Sequence, residues 1–224
     1  MIVGLGHPRC GTGFAANLLQ QHGLDVRHED IGAQGIISWM QVARRRAGPW
    51  GNTVQNYPLG TKVFLVARSP LAALNSVATE NQQTRSIGFR SQVIWDRRGI
   101  DMFVGDNQTA GKDVYDFFGW AVMSMAYWYD ICLEDISVGG NPGVVFRIEE
   151  PRDDAVLGEF LGRNIVRDGK QVWQNRYGPH KKSGRLEYSM DELYRVPKVH
   201  LAKLIEVTAR LGYPEDAETL RRYL

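Results

Sequence analysis

Residues 2–14 read Ile2-Val3-Gly4-Leu5-Gly6-His7-Pro8-Arg9-Cys10-Gly11-Thr12-Gly13-Phe14, and this stretch decides the fold. Its first half is short, apolar and closed by glycine, which is typical of a strand buried on both faces of a parallel sheet. Its second half opens a helical pattern in which Phe14, Ala15, Leu18 and Leu19 share one face. A glycine-rich turn between such a strand and such a helix offers backbone N–H groups to an anion. We therefore expect a phosphate to bind at Gly6–Gly13.

Strands recur along the chain. Apolar runs predict strands at 62–67 and 143–148, and the stretch Leu24–Asp30 after the first helix predicts a short strand that ends in titratable groups. Runs of this kind, separated by helical segments, are typical of parallel sheets. We expect a mainly parallel sheet with the first strand at its centre.

Helical patterns lie between and after these strands. Ser69 and Pro70 supply a cap and a first helical residue for a helix that follows the strand at 62–67. The clearest helical spacing covers 113–133, where the aromatic residues and methionines indicate core packing, and a last helix is predicted at about 198–211. The sequence thus predicts a single α/β domain over residues 1–224, with three layers and helices on both faces of the sheet.

Two stretches show neither pattern. Residues 44–60 contain Arg44-Arg45-Arg46 with scattered glycine and proline, and residues 81–112 mix charged residues with Trp95 and Phe103. Long irregular segments are either substrate-covering loops or plain connections, and both interpretations stay open for 81–112. The three arginines fit the solvated end of a helix, where cations suit the dipole.

The composition limits the kinds of partner. The chain has 224 residues, of which 27 are basic and 25 acidic, so no overall charge favours nucleic acid or a membrane surface. Its cysteines, Cys10 and Cys132, form no CxxC pair, and no His/Cys cluster has metal-ligand spacing. We expect a cytoplasmic protein with no metal site, no targeting segment and no membrane anchor.

The phosphate loop lacks the two residues on which nucleoside triphosphatases depend. Gly6 and Gly11 match the spacing of GxxxxGK[ST], but Thr12 stands at the lysine position and Gly13 at the Ser/Thr position that would hold magnesium. The loop therefore keeps a backbone that can bind phosphate without the magnesium ligand, and Arg9 replaces the missing cation. This pattern argues against ATP or GTP hydrolysis.

The stretch Pro8-Arg9-Cys10-Gly11-Thr12-Gly13 resembles the 5′-phosphosulfate loop of the sulfotransferases that use 3′-phosphoadenosine 5′-phosphosulfate (PAPS), which reads Pro-[Arg/Lys]-Ser-Gly-Thr-[Thr/Ser]. The resemblance is to the bacterial and tyrosylprotein sulfotransferase type, and it implies a P-loop-like fold. It also implies that Pro8–Phe14 bind the phosphosulfate and that adenosine 3′,5′-bisphosphate (PAP) is the product. Cys10 and Gly13 depart from the pattern. The missing hydroxyl at Gly13 leaves weak activity, or binding without turnover, as alternatives.

A second motif supports the resemblance. Arg68 leaves a predicted strand, Pro70 follows, and Ser76 lies eight residues after Arg68, as in the family's 3′-phosphate site. An arginine fork and a serine hydroxyl suit a terminal phosphate. The late basic run that contains Lys182 and Arg185 resembles the loop that closes over this phosphate, although a solvated basic turn explains it equally well.

The resemblance also assigns catalytic roles. Arg9 corresponds to the residue that contacts the leaving phosphate, and Glu29 lies where relatives carry a catalytic glutamate about 20 residues beyond the loop arginine. His28 and Asp30 are the other candidate bases, since an unperturbed imidazole titrates near neutral pH. The acceptor, a hydroxyl or amine of a small molecule, glycan or peptide, cannot be read from the sequence, nor can the oligomeric state.

Two other functions fit the same loop. One is a small-molecule or nucleotide kinase with a degenerate phosphate loop, which would require the magnesium that Gly13 cannot hold. The other is a non-catalytic nucleotide-binding module that binds PAP and transfers nothing. Dependence on magnesium separates the first from a sulfotransferase, and turnover separates the second.

Overall fold

A computed structural model describes residues 1–43, 57–84, 86–102, 116–137, 143–167 and 187–224. The chain divides into two compact units. The first combines Met1–Arg68 with Cys132–Gly178, and the second combines Ser69–Ile131 with Pro179–Leu224. That the whole chain forms a single domain remains a prediction.

The first unit contains one parallel sheet. Its strands are β1 (Ile2–Gly6), β2 (Val26–His28), β3 (Gly35–Ile37), β4 (Lys62–Ala67) and β5 (Val145–Arg147). They lie in the order β2-β3-β1-β4-β5, and every neighbouring pair is parallel. The protein is therefore α/β with an all-parallel sheet, and the prediction that the first strand lies at its centre is confirmed.

The described residues of the first unit also form a 3-10 helix at Trp39–Ala43, two α-helices and the end of a third. The α-helical parts are α1 (Thr12–Gln21), α5 (Asp153–Leu161), and the residues from Cys132 onward of α4 (Phe117–Ser137). The apolar face of α1 joins a cluster with strand residues Val26, Phe64, Val66 and Phe146, all fully buried. Burying one such side chain contributes about 1.5–3 kcal/mol, so this cluster holds α1 against the sheet.

A short return connects β2 to β3, although parallel neighbours usually need a dozen residues or more. Asp25 makes the turn possible, because its carboxylate accepts the Ala33 N–H at 2.7 Å and its carbonyl accepts the Gln34 N–H at 3.0 Å. Gly35 then enters beside β1, where a Cβ would lie 1.8 Å from the Ile2 carbonyl oxygen. Only glycine fits this position without moving the central strand.

The second unit is helical. It contains α2 (Pro70–Gln83), α3 (Ser86–Arg98), most of α4, α6 (Lys198–Arg210) and α7 (Pro214–Arg221), with a 3-10 helix at Met190–Arg195. Asp130 on α4 connects three of these elements. It accepts from Arg98 of α3 at 2.8 Å, Lys203 of α6 at 2.8 Å and Arg210 of α6 at 3.2 Å.

A buried charge network joins α2 to α3. Arg90 is fully buried and donates to Glu80 at 2.9 Å, to Ser86 at 3.0 Å and to the Asn81 side chain. Burial raises the pKa of Glu80, but the Arg90 charge and hydrogen bonds from Ser86 and Thr84 outweigh it, so this pKa lies below its ordinary value. The Glu80 carboxylate is therefore ionised at neutral pH.

This network explains an error in the sequence prediction. Residues 81–112 were expected to be irregular, yet α2 continues to Gln83 and α3 fills Ser86–Arg98. Arg90 lies on the buried face of α3 with Ile87 and Ile94. A charged residue on that face interrupts the apolar pattern by which a helix is recognised.

The other helical predictions hold with shifted ends. Ser69 caps α2, since its hydroxyl accepts the Ala72 N–H at 3.1 Å, and Pro70 is the first helical residue. The predicted helix at 113–133 is observed as Phe117–Ser137. The helix at 198–211 is observed as α6 but is not the last, because α7 follows with only Ala217 and Leu220 buried.

We predict that Glu80→Gln lowers the free energy of unfolding by about 3–5 kcal/mol, because it leaves the buried Arg90 charge without its counter-charge. The matched control is Glu192→Gln, which removes the partner of Arg195, a side chain that is 59% exposed. Its expected cost is below about 1 kcal/mol. Urea unfolding of both variants measures the difference, and equal losses would contradict the role of the buried pair.

Candidate functional site

The strand order places a topological switch point at the centre of the sheet. β1 and β4 are neighbours, but the chain leaving β1 returns through β2 on one side and the chain leaving β4 returns through β5 on the other. In open α/β sheets ligands bind outside the carboxyl ends of strands at such a switch point. The residues that follow β1 and β4 begin with His7 and Arg68.

The loop after β1 turns tightly. Arg9 has φ of 68° and Gly11 has φ of 92°, so two left-handed residues lie within three positions. A Cβ at Gly6 would lie 2.7 Å from Thr12 Cγ2, and one at Gly11 would lie 2.5 Å from Ile148 Cδ1. These two glycines let β1, α1 and the residue after β5 approach one another.

Four successive carbonyl oxygens of the loop, those of residues 6–9, accept hydrogen bonds from the protein. The Gly6 oxygen faces the Cys132 thiol at 3.9 Å, and the His7 oxygen accepts the Cys10 N–H at 3.1 Å. The Pro8 oxygen accepts from His7 Nδ1 at 2.8 Å, and the Arg9 oxygen accepts from Arg68 Nη1 at 3.4 Å. The negative ends of four successive peptide dipoles are thereby occupied internally.

The start of α1 offers hydrogen-bond donors rather than acceptors. Gly11 is its N-cap, no side chain caps the helix, and its first turn contains no acidic residue. The first N–H groups of a helix have no acceptor within it and carry the positive end of its dipole. The carbonyl oxygens of the loop are bonded within the protein, whereas the first N–H groups of α1 have no acceptor in the helix. Together these two features favour binding of an anion at Gly11–Gly13.

Arg68 joins the ends of three strands. Its Nη1 donates to the Arg9 carbonyl after β1, and its Nε lies 3.7 Å from Glu149 Oε1 after β5. Arg9 and Arg68, which are 59 residues apart in sequence, are therefore in contact. Glu149 was not among the predicted site residues, because no sequence pattern shows which carboxylate faces Arg68.

His28 and Glu29 approach this loop from the end of β2. His28 Nε2 lies 3.1 Å from Thr12 Oγ1 and 3.6 Å from Glu29 Oε1. Partial burial lowers the pKa of His28 from its ordinary value, and the Glu29 charge opposes this only in part. The imidazole is therefore mainly neutral at neutral pH, as a general base requires.

Glu29 has an unusual backbone. Its φ is 58°, and Arg9 and Glu29 are the non-glycine residues with positive φ in the part of the chain that the structure describes. Such conformations cost of order 1–3 kcal/mol and concentrate at functional sites. Asp30, the third candidate base, instead caps the Ile31 N–H at 2.9 Å and lies 3.6 Å from Arg27.

The remaining predicted residues fall into three groups. Pro8 and Cys10 are buried, whereas Gly13 and Phe14 are half-buried at the start of α1. Ser76 is half-buried on α2 in the second unit, and its role at the 3′-phosphate stays a prediction. Lys182 and Arg185 lie outside the described residues.

Comparison with known proteins gave no match among family profiles, curated proteins or solved structures. Among the described helices, none is long and apolar enough to cross a membrane.

We predict that NMR titration gives His28 a pKa below the ordinary value of about 6.5, and that Glu29→Gln lowers this pKa further. The reason is that Glu29 stabilises the imidazolium while burial disfavours it. Asp30→Asn is the matched control and should leave the pKa of His28 unchanged. A larger shift in Asp30→Asn than in Glu29→Gln would contradict this arrangement of the two carboxylates.

Proposed function

We propose that this protein is a sulfotransferase that moves a sulfuryl group from PAPS to an acceptor hydroxyl or amine, giving PAP. One observation carries the proposal. Four carbonyl oxygens of the loop after β1 accept hydrogen bonds within the protein, α1 begins there without a side-chain cap, and Arg68 reaches the loop from the end of β4. An arrangement of backbone donors and two arginines suits a ligand with phosphate groups and a sulfuryl group.

The proposal assigns a role to each part of the loop. The N–H groups of Gly11, Thr12 and Gly13 hold the 5′-phosphosulfate, and Arg9 neutralises the leaving phosphate oxygen. Arg68 and Ser76 bind the 3′-phosphate, with Lys182 and Arg185 as further contacts. The order of the sheet, with β1 in the middle, supports a three-layer P-loop-like fold with helices on both faces.

In the reaction, an acceptor oxygen or nitrogen forms a bond to sulfur while the bond between sulfur and the bridging phosphate oxygen breaks. Negative charge builds on that oxygen, which leaves as part of PAP. The helix N-terminus is fixed before the reaction and so stabilises this charge without rearranging, and Arg9 adds a full positive charge. Positioning and preorganised charge supply most of the catalysis, as in phosphoryl transfer.

The acceptor's proton needs a base. Glu29 is our first candidate because its left-handed backbone fixes it beside His28, which in turn contacts Thr12 on the donor loop. His28 is the second candidate, since its lowered pKa keeps the imidazole neutral. The acceptor itself is a small molecule, a glycan or a peptide.

We predict that PAP raises the melting temperature of the protein more than adenosine diphosphate does, and that it does so without magnesium. A ligand that binds the native state alone stabilises it by RT ln(1 + L/Kd), where L is the free ligand concentration, so the tighter ligand gives the larger shift at equal concentration. Arg9→Ala and Arg68→Gln should each remove most of this shift, because each removes a charged donor to phosphate. Arg163→Gln, on an exposed residue after α5, is the matched control.

The pattern of ligands separates the alternatives. Stabilisation by ATP with magnesium, exceeding that by PAP, would favour a kinase. PAP binding with no transfer to any phenol, sugar or peptide in an acceptor screen would favour a binding module. A fully active Arg9→Ala enzyme would overturn the proposed role of the loop.

We predict that Glu29→Gln reduces turnover by about 100-fold or more with PAP affinity unchanged, as removal of a general base does. His28→Ala should have a smaller effect, because it removes the neighbour rather than the base. Initial rates of PAP release with an acceptor found in the screen measure both. The reverse order would assign His28 as the base, and unchanged rates in both variants would exclude this pair.

A further inference from the structure

Glu149 lies beside the arginine that the proposed function assigns to the 3′-phosphate. Its Oε1 is 3.7 Å from Arg68 Nε, and the two side chains are 34% and 30% exposed. Arg68 also donates to the Arg9 carbonyl at 3.4 Å. The guanidinium therefore contacts oxygen atoms of the protein on two sides, one of them negatively charged.

The segment around Glu149 is held rigidly. Arg147 makes a bidentate ion pair with Asp153, with N···O distances of 2.8 Å and 2.9 Å. The Ile148 N–H donates to the Ala67 carbonyl at 3.0 Å, directly before Arg68. These contacts hold the backbone next to Arg68 and next to Glu149, which places the two side chains near each other.

A second arginine holds the residues after Glu149. Arg167 donates to Asp154 at 2.8 Å and to the Ile148 carbonyl at 2.7 Å, and its guanidinium lies 5.5 Å from the centre of the Phe14 ring. Phe14 belongs to the first turn of α1. The segment that contains Glu149 is thus held by Arg167, which also contacts the first turn of α1.

We propose that Glu149 competes with the ligand's phosphate for Arg68 and thereby sets the affinity of the site and the rate of product release. The proposal rests on the proposed function, because it takes the phosphate at Arg68 to be the 3′-phosphate of PAP. A carboxylate next to the binding cation repels an incoming phosphate and pairs with the cation again when the phosphate leaves. Glu149 is therefore a specificity-determining residue that acts through Arg68.

The direction of the effect separates this role from a purely structural one. If Glu149 only positioned Arg68, its removal would weaken PAP binding. If Glu149 competes, Glu149→Gln strengthens PAP binding, because the side chain keeps its size and loses its charge. Partly exposed ion pairs contribute up to about 1 kcal/mol, so we expect affinity to rise about two- to fivefold, with a slower release of PAP.

The experiment compares the wild type, Glu149→Gln and the control Glu159→Gln, which removes one carboxylate from an exposed position on α5. Calorimetry measures the affinity for PAP and for adenosine 5′-phosphate, which lacks the 3′-phosphate. NMR follows the Arg68 Nε–H resonance during titration with PAP and with inorganic pyrophosphate. We expect Glu149→Gln to gain affinity for PAP and less for adenosine 5′-phosphate, and Glu159→Gln to gain for neither.

The outcomes for Glu149 and for the sulfotransferase proposal can be told apart. Equal or weaker PAP binding by Glu149→Gln overturns competition while PAP binding by the wild type still supports the proposed function. A third outcome is that pyrophosphate shifts the Arg68 resonance at lower concentration in Glu149→Gln than in the wild type while PAP does not bind. This outcome supports competition and contradicts the assignment of PAPS as the donor. If no anion shifts this resonance in any variant, both proposals fail.

Discussion

The tight approach of β1 to α1 is the constraint on which the rest of this structure depends. Gly6 and Gly11 leave no space for a side chain, because a Cβ there would lie 2.7 Å from Thr12 and 2.5 Å from Ile148. The five residues between strand and helix must then include left-handed conformations, which Arg9 and Gly11 adopt. This turn aims the start of α1 at the carboxyl edge of the sheet and places Arg9 beside it.

Much of the fold follows from the sequence because apolar spacing decides it. β1, β4, α1 and α4 have long or regular apolar patterns, and their positions were predicted to within a few residues. β3 was not predicted, since its Gly35 is defined by a close contact with Ile2 of another strand. α3 was missed because Arg90 lies on its buried face, and only the fold shows that Glu80 compensates that charge.

Part of the candidate site could also be proposed from the sequence, namely the residues whose positions follow from a single loop or strand. Arg9, Gly11 and Thr12 could be named as candidates because one contiguous loop determines their position, and Arg68 because it follows a strongly apolar strand. The strand that precedes Glu149 was predicted, but the contact of Glu149 with Arg68 depends on which strands are neighbours. The contact of Thr12 with His28 depends in the same way on where β2 ends relative to α1.

The charges of the site show how it can bind an anion without being strongly basic. Arg9 and Arg68 are accompanied by Glu29 and Glu149, so the formal charges of these four residues cancel, much as 27 basic residues offset 25 acidic ones in the whole chain. Affinity for phosphate must then come from the orientation of the N–H groups at the start of α1. The carbonyl oxygens next to them already accept hydrogen bonds from the protein. A site of this kind selects a ligand by the placement of its oxygens, and nearby carboxylates keep it from holding every anion that reaches it.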